Sequence, residues 1–140
     1  MRSCELCVFD SVKSSDWTML KTMPTVALLV LSDHLENAVL AEVIKSCLSV
    51  GTLLFAVYGP FADEIEDQID LLLERESRLD ILTTSHQDDA IEDTANFLVR
   101  AAYREPEHFR CLVILDKRVP NSDLLLTEVE KLCVDLSEHR

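Results

Sequence analysis

The sequence predicts an α/β fold: a single small doubly wound domain of the Rossmann or flavodoxin-like kind, with about four parallel strands and helices on both faces. Two observations carry this expectation. From Pro24 onward, short apolar runs rich in β-branched residues alternate with longer stretches of helical period, the pattern of strand-then-helix units that build a parallel sheet covered on both sides. The strand-like runs are also continuously apolar rather than alternating, as strands buried on both faces are. With 140 residues, of which 48% are hydrophobic, the chain is one domain's worth and can bury a genuine core. Global disorder is excluded.

Val26 to Leu31 (VALLVL) is the first strand. Ser32 and Asp33 can cap a helix running to about Ser49, with Leu40, Val43, Ile44 and Cys47 on its inner face, and Gly51 is placed to end it. Thr52 to Tyr58 (TLLFAVY) is the second strand; Gly59-Pro60 turns the chain into an acidic helix with Ile65, Ile69 and Leu72 at helical spacing. Leu79 to Thr84 is a third, shorter strand, followed by a helix from about Asp88 to Tyr103 that buries Ile91, Ala95, Leu98 and Ala102. Arg110 to Leu115 (RCLVIL) is the fourth strand. After Pro120, Asn121 or Ser122 caps a last helix with Leu125, Val129, Leu132 and Leu136 on its inner stripe. Right-handed crossovers then favour the strand order 2-1-3-4 over 3-2-1-4. Residues 24–140 form this domain; residues 1–23, with Leu6, Val8, Trp17, Leu20 and Met23, are expected to pack as an extension on its edge, and a variant of the fold adds a strand at Cys4 to Phe9.

Composition removes several chemistries. The only glycines are Gly51 and Gly59, so no Walker loop (GxxxxGK), no GxGxxG turn and no GxSxG elbow can be written into the chain. The 26 acidic against 13 basic side chains give a net charge of −13, and no window concentrates Lys and Arg. Nucleic acid and anionic membrane surfaces are therefore poor partners. Five cysteines, Cys4, Cys7, Cys47, Cys111 and Cys133, are odd in number and lie mostly in apolar segments, which suits buried or free thiols in a reducing compartment. Glu5 and Asp10 interrupt what could have been a signal-peptide core, and no apolar run approaches the roughly 18 residues of a membrane span. The expected location is the cytoplasm.

In an open α/β sheet the ligand crevice lies outside the carboxyl ends of the strands. The residues there are Ser32-Asp33-His34, Tyr58-Gly59-Pro60, Thr83 to Asp89 (TTSHQDD) and Asp116-Lys117-Arg118. His86 stands out in a densely polar loop, and His86 with Asp33 and Asp88 is the best candidate for an acid, base or metal site; the same aspartates also suit first turns of helices, where carboxylates answer orphan amides. There is no HExxH spacing and no partner CxxC for Cys4-x-x-Cys7, so neither a metal nor a cofactor is assigned. His34-Leu35-Glu36 lacks the Pro-Cys-x-x-Cys of a zinc deaminase. A receiver domain is excluded because the third strand ends in Thr83-Thr84 where the phospho-acceptor aspartate would stand.

The acidic helix carries at least six carboxylates from Asp63 to Glu74, more than solubility requires. The preferred functional expectation is a protein-binding module, an adaptor, neutralising or immunity-type partner, that docks a basic protein surface through Glu64, Asp67, Asp70 and Glu74, with Tyr58, Thr84 and His86 beside them. The alternative is a small-molecule or metal-dependent enzyme centred on His86.

The order SCLSVGTLLFAVYGP, an acidic helix, DILTTSHQDDAIEDTANFLVRAA and an apolar CLVIL strand resembles an uncharacterised bacterial domain family. In that family an aromatic-Gly pair ends one strand and a Thr-Thr-aromatic-His-acidic segment opens the next helix. Tyr58-Gly59 match the pair, and Thr83, Thr84, His86, Asp88 and Asp89 the polar segment; Ser85 and Tyr58 depart from it, since the family has an aromatic residue and a tryptophan there. The resemblance implies the same small acidic α/β fold and carries no activity with it.

Overall fold

The continuous apolar runs become the middle of the sheet. In the computed structural model, which describes residues 2–10, 17–101 and 107–138, β2 (Thr25–Val30) is buried along its whole length, and β3 (Thr52–Tyr58) and β5 (His108–Leu115) nearly so. With β1 (Ser3–Phe9) and β4 (Leu82–Ser85) they form one parallel sheet in the order β1-β5-β2-β3-β4.

The fold is the predicted α/β class with one strand more than four. The added strand is β1, which pairs with β5 from Ser3 opposite His108 to Phe9 opposite Ile114. The favoured order 2-1-3-4 is corrected: the four later strands stand in the order 3-2-1-4. Chain composition explains the outcome. β4 is a four-residue Leu-Thr-Thr-Ser strand without a buried residue, suited to an edge, whereas β5 is apolar over most of its length and needs a neighbour on each side. It therefore lies between β1 and β2.

The two faces of β2 separate two cores. Val26, Leu28 and Val30 pack with Phe109, Cys111 and Val113 beneath α3 (Ile91–Asn96) and α4 (Ser122–Glu138). Ala27, Leu29 and Leu31 pack with Phe55 and Val57 beneath α1 (Asn37–Ser49) and α2 (Ala62–Arg75), joined by Trp17 and Leu20. The inner stripes predicted for the helices hold: Leu40, Val43, Ile44 and Cys47 in α1, Ile65, Ile69 and Leu72 in α2, and Leu125, Val129 and Leu132 in α4 are buried. Arg110 is buried in the sheet, its guanidinium donating to the Lys21 carbonyl and to Thr25 Oγ1.

Helix starts differ from expectation. α1 begins at Asn37 with no side-chain cap, because Ser32 is drawn to Asp116 and Asp33 Oδ1 accepts from the His34 amide. α3 begins at Ile91 after Ala90, so Asp88 and Asp89 lie upstream of its first turn, and Phe97–Ala101 form a π turn behind it. Ala102 and Tyr103 lie outside the described residues. The third predicted strand starts late: Leu79 and Asp80 sit in a turn where Arg78 clasps the Asp80 carboxylate, Nε to Oδ1 at 3.1 Å.

Gly51 and Gly59 stand at the two ends of β3 with φ of +100° and +139°. A Cβ on Gly51 would collide with the Met23 carbonyl oxygen, and one on Gly59 with that of Leu31. Both glycines are thus needed for backbone conformation and for the approach of β3 to the segments flanking β2. Among the described residues, no helix is long and apolar enough to cross a membrane.

Candidate functional site

The carboxyl ends of the strands follow one another along an edge of the sheet as Asp10, Asp116, Ser32, Tyr58 and His86. Between the parallel strands β5 and β2 the connections part: β2 leads into α1 on one face and β5 into α4 on the other. That is the topological switch point of a doubly wound sheet. A pocket of about 180 Å³ opens there, lined by Asp10, Leu31, Leu35, Asp116 and Arg118 among others.

Asp116 organises this end. Its Oδ2 accepts from the Ser32 amide at 3.3 Å and from the Ser32 hydroxyl, and the Arg118 guanidinium clasps both carboxylate oxygens at 3.0 Å. The Arg118 side chain, the partner hydroxyl and the two amides together hold the Asp116 carboxyl far below the usual carboxylate range, against the opposing effect of burial. Asp116 is therefore an anion whose lone pairs are largely occupied. The pocket is smaller than the roughly 300 Å³ at which ligand clefts usually begin.

Two histidine centres flank β3 and are built separately. After β2, His34 Nε2 pairs with the Glu64 carboxylate on α2, its Nδ1 lies 3.3 Å from Asp33 Oδ1, and its ring tilts against Phe61 at 4.6 Å. The Glu64 bond, aided by Asp33, raises the pKa of His34 above its ordinary value. The bonds from His34 in turn lower that of Asp33. After β4, His86 is 5% exposed. Its Nε2 meets Thr84 Oγ1 at 2.9 Å, its Nδ1 meets Asp89 Oδ2 at 2.8 Å, and the ring packs on Phe97 at 4.8 Å. Both ring nitrogens are engaged within the loop.

Of the residues singled out in the sequence, the structure thus brings His86 and Thr84 together. It sets Asp33 beside His34 at the end of another strand, two strand positions away, or roughly 10 Å. Asp88 is exposed, and Tyr58 is half-buried against the α3 and α4 side. The sequence places both Ser32 and Asp116-Lys117-Arg118 at strand ends; that Ser32 and Asp116, 84 positions apart, bond to each other is what residue types alone did not reveal.

The acidic helix presents two rows. Glu64, Asp67, Asp70 and Glu74 are exposed, with Leu71, 57% exposed, between Asp67 and Glu74 on the same helix face. A second row meets the edge strand: Ser85 Oγ donates to Asp63, Thr83 Oγ1 donates to Asp70, and the Asp63 amide donates to Gln87 Oε1 at 3.0 Å. Between them Glu66 is half-buried, and desolvation, with Asp70 beside it, pushes its pKa up.

The family described as a domain of unknown function, DUF7684, matches residues 4–133. The chain belongs to that family. No curated protein matches it. The DUF7684 match starts in β1 and ends in α4, so the whole carboxyl edge of the sheet and both rows of α2 lie inside it.

Proposed function

We propose that this DUF7684 domain is a protein-binding module that docks a partner with a basic surface on the outer face of α2. The supporting observation is the outer row: Asp67 and Glu74 are exposed around Leu71, with Glu64, bonded to His34, and Asp70, bonded to Thr83, at its borders. In α2 the only basic side chain is Arg75. An apolar side chain ringed by like charges offers an anchor with a rim that selects the partner's charge. The adjoining β4 is an edge strand, which leaves main-chain groups for a partner segment to use.

Charge pairing of this kind sets association rate and partner choice, and salt screens it. The test is capture of partners from the native host at low and high salt by the wild-type domain and by the Asp67→Lys, Asp70→Lys double variant. A specific partner held at low salt, released at high salt and lost from the double variant is the expected result. A partner that stays bound unchanged through salt and both reversals overturns the reading.

A second reading, a small-molecule or metal-dependent enzyme, is favoured by one observation, the Asp116 and Arg118 pocket at the switch point. His86 supports it less, since both of its ring nitrogens are engaged. Calorimetric binding of Mg²⁺ or Mn²⁺ tighter than about millimolar, roughly −4 kcal/mol, and abolished by Asp116→Asn, would support that second reading.

A further inference from the structure

Away from the strand ends, three of the five cysteines converge. Cys4 on β1, Cys111 on β5 and Cys133 on α4 place their sulfurs within 4.8 Å of one another, and Cys4 Sγ lies 3.3 Å from Cys111 Sγ. Cys111 and Cys133 are buried and Cys4 is half-buried. The cluster belongs to the apolar core under α3 and α4. Ser137, one turn beyond Cys133, accepts from the Cys4 amide at 3.3 Å and so ties α4 to β1 at this point.

We propose that Cys4, Cys111 and Cys133 form a three-thiolate site for a soft metal ion, with monovalent copper as the ion of best fit. An ion held at about 2.3 Å from each sulfur spaces three thiolates roughly 4 Å apart in a trigonal plane. The sulfurs are already near that spacing, and small rotamer adjustments supply the rest. Among the described residues, no histidine or carboxylate joins the three sulfurs, so the donor set is purely soft, which selects copper(I) over harder cations. A structural zinc site requires a fourth ligand, and this cluster has none to offer from the described side chains. The dry shell on the Cys111 and Cys133 side keeps water from competing for the ion. Binding displaces the thiol protons to solvent and leaves the metal's oxidation state unchanged.

The three sulfurs already face one another, Cys4 Sγ lying 3.3 Å from Cys111 Sγ. A disulfide is the competing use of such a pair. In the register of the sheet, however, Cys4 stands opposite Phe109 and Cys111 opposite Leu6. The two cysteines are thus diagonal rather than directly paired neighbours, and all three residues of the cluster are free thiols.

Cys7 is excluded from the set by the strand's own alternation. It packs on the opposite face, with the core under α1 and α2, so the Cys4-x-x-Cys7 spacing does not describe a site.

The test uses the full chain, reduced and free of oxygen, titrated with copper(I) against a competing chelator. The expected result is one equivalent bound, with a thiolate-to-metal charge-transfer band and a raised melting temperature. Cys4→Ala, on the edge strand, should weaken binding by more than roughly 100-fold, beyond the 10–100-fold typical of losing an outer-shell partner, and Cys133→Ala should do the same. Circular dichroism confirms that each variant is folded. Cys7→Ala should bind as the wild type does. Binding that survives Cys4→Ala and Cys133→Ala, or that is lost with Cys7→Ala, overturns the assignment. So does the absence of a one-to-one complex in the folded wild-type chain, which would leave the three thiols as core packing.

Discussion

Asp116 reaches across from the end of β5 to Ser32 at the end of β2, taking both its amide and its hydroxyl. These strands are neighbours at the switch point, so the bond closes the sheet where the helices part to opposite faces. Asp116→Asn keeps the shape and removes the charge. The variant should lose about 1.5–3 kcal/mol, as expected when a hydrogen-bonded charge is removed, and urea unfolding measures it. Because the folded-state pKa of Asp116 is depressed, its contribution is complete above the ordinary carboxylate value of about 4 and fades as the pH falls toward the depressed one. The gap between wild type and variant should therefore be full at neutral pH and shrink progressively in acid.

His34 and Glu64 join the loop after β2 to the first turn of α2. Here the sign is the opposite. The Glu64 carboxylate raises the histidine's pKa, so the pair stabilises the fold below the ordinary histidine value of about 6.5 and the benefit is lost as the pH rises through the raised value. Both side chains are largely exposed, and salt should weaken the effect. Proton NMR of the His34 ring should give a midpoint above the ordinary value in the wild type, moving down in Glu64→Gln. A midpoint indifferent to Glu64→Gln would show that the pair does not persist in solution.

Much of the frame was legible in the sequence, since burial on both faces demands continuous apolar runs, and β2, β3 and β5 have them. Strand order was less so. The clue was the polarity of Leu82 to Ser85, which marks an edge, but crossover geometry alone does not weigh it. β1 was visible only as a variant because Glu5 and Val8 give it the mixed character of an outer strand. The site was least legible: Ser32 with Asp116, and Cys4 with Cys111 and Cys133, are assembled by parallel pairing between distant segments, and no local spacing records such a meeting.

Gly51 and Gly59 make a prediction whose sign is diagnostic. A glycine in ordinary backbone gains about 0.4–1 kcal/mol on replacement by alanine, through the unfolded chain. At both positions here φ is positive and a Cβ meets a carbonyl. Gly51→Ala and Gly59→Ala should each cost more than about 2 kcal/mol, the upper end of the penalty for left-handed backbone alone. Thermal or urea unfolding of the two single variants reads the difference.

His86 is the residue whose role stability measurements can best resolve. It is buried, its amide donates to the Val57 carbonyl at 2.9 Å, and its ring is gripped by Thr84, Asp89 and Phe97. If these contacts are its purpose, His86→Ala removes two hydrogen bonds and leaves a cavity, costing about 2–4 kcal/mol. Asp89→Ala removes only the outer bond and should cost about 1 kcal/mol. Hydrogen exchange should localise the damage: amides of β4 and the His86 loop exchange faster in His86→Ala, while those of Val26 to Val30 in the central strand stay slow relative to global unfolding. A functional group held for chemistry gives the reverse pattern, with stability nearly unchanged and exchange at β4 as in the wild type. In that outcome the enzyme reading regains His86, and the lock described for it is wrong.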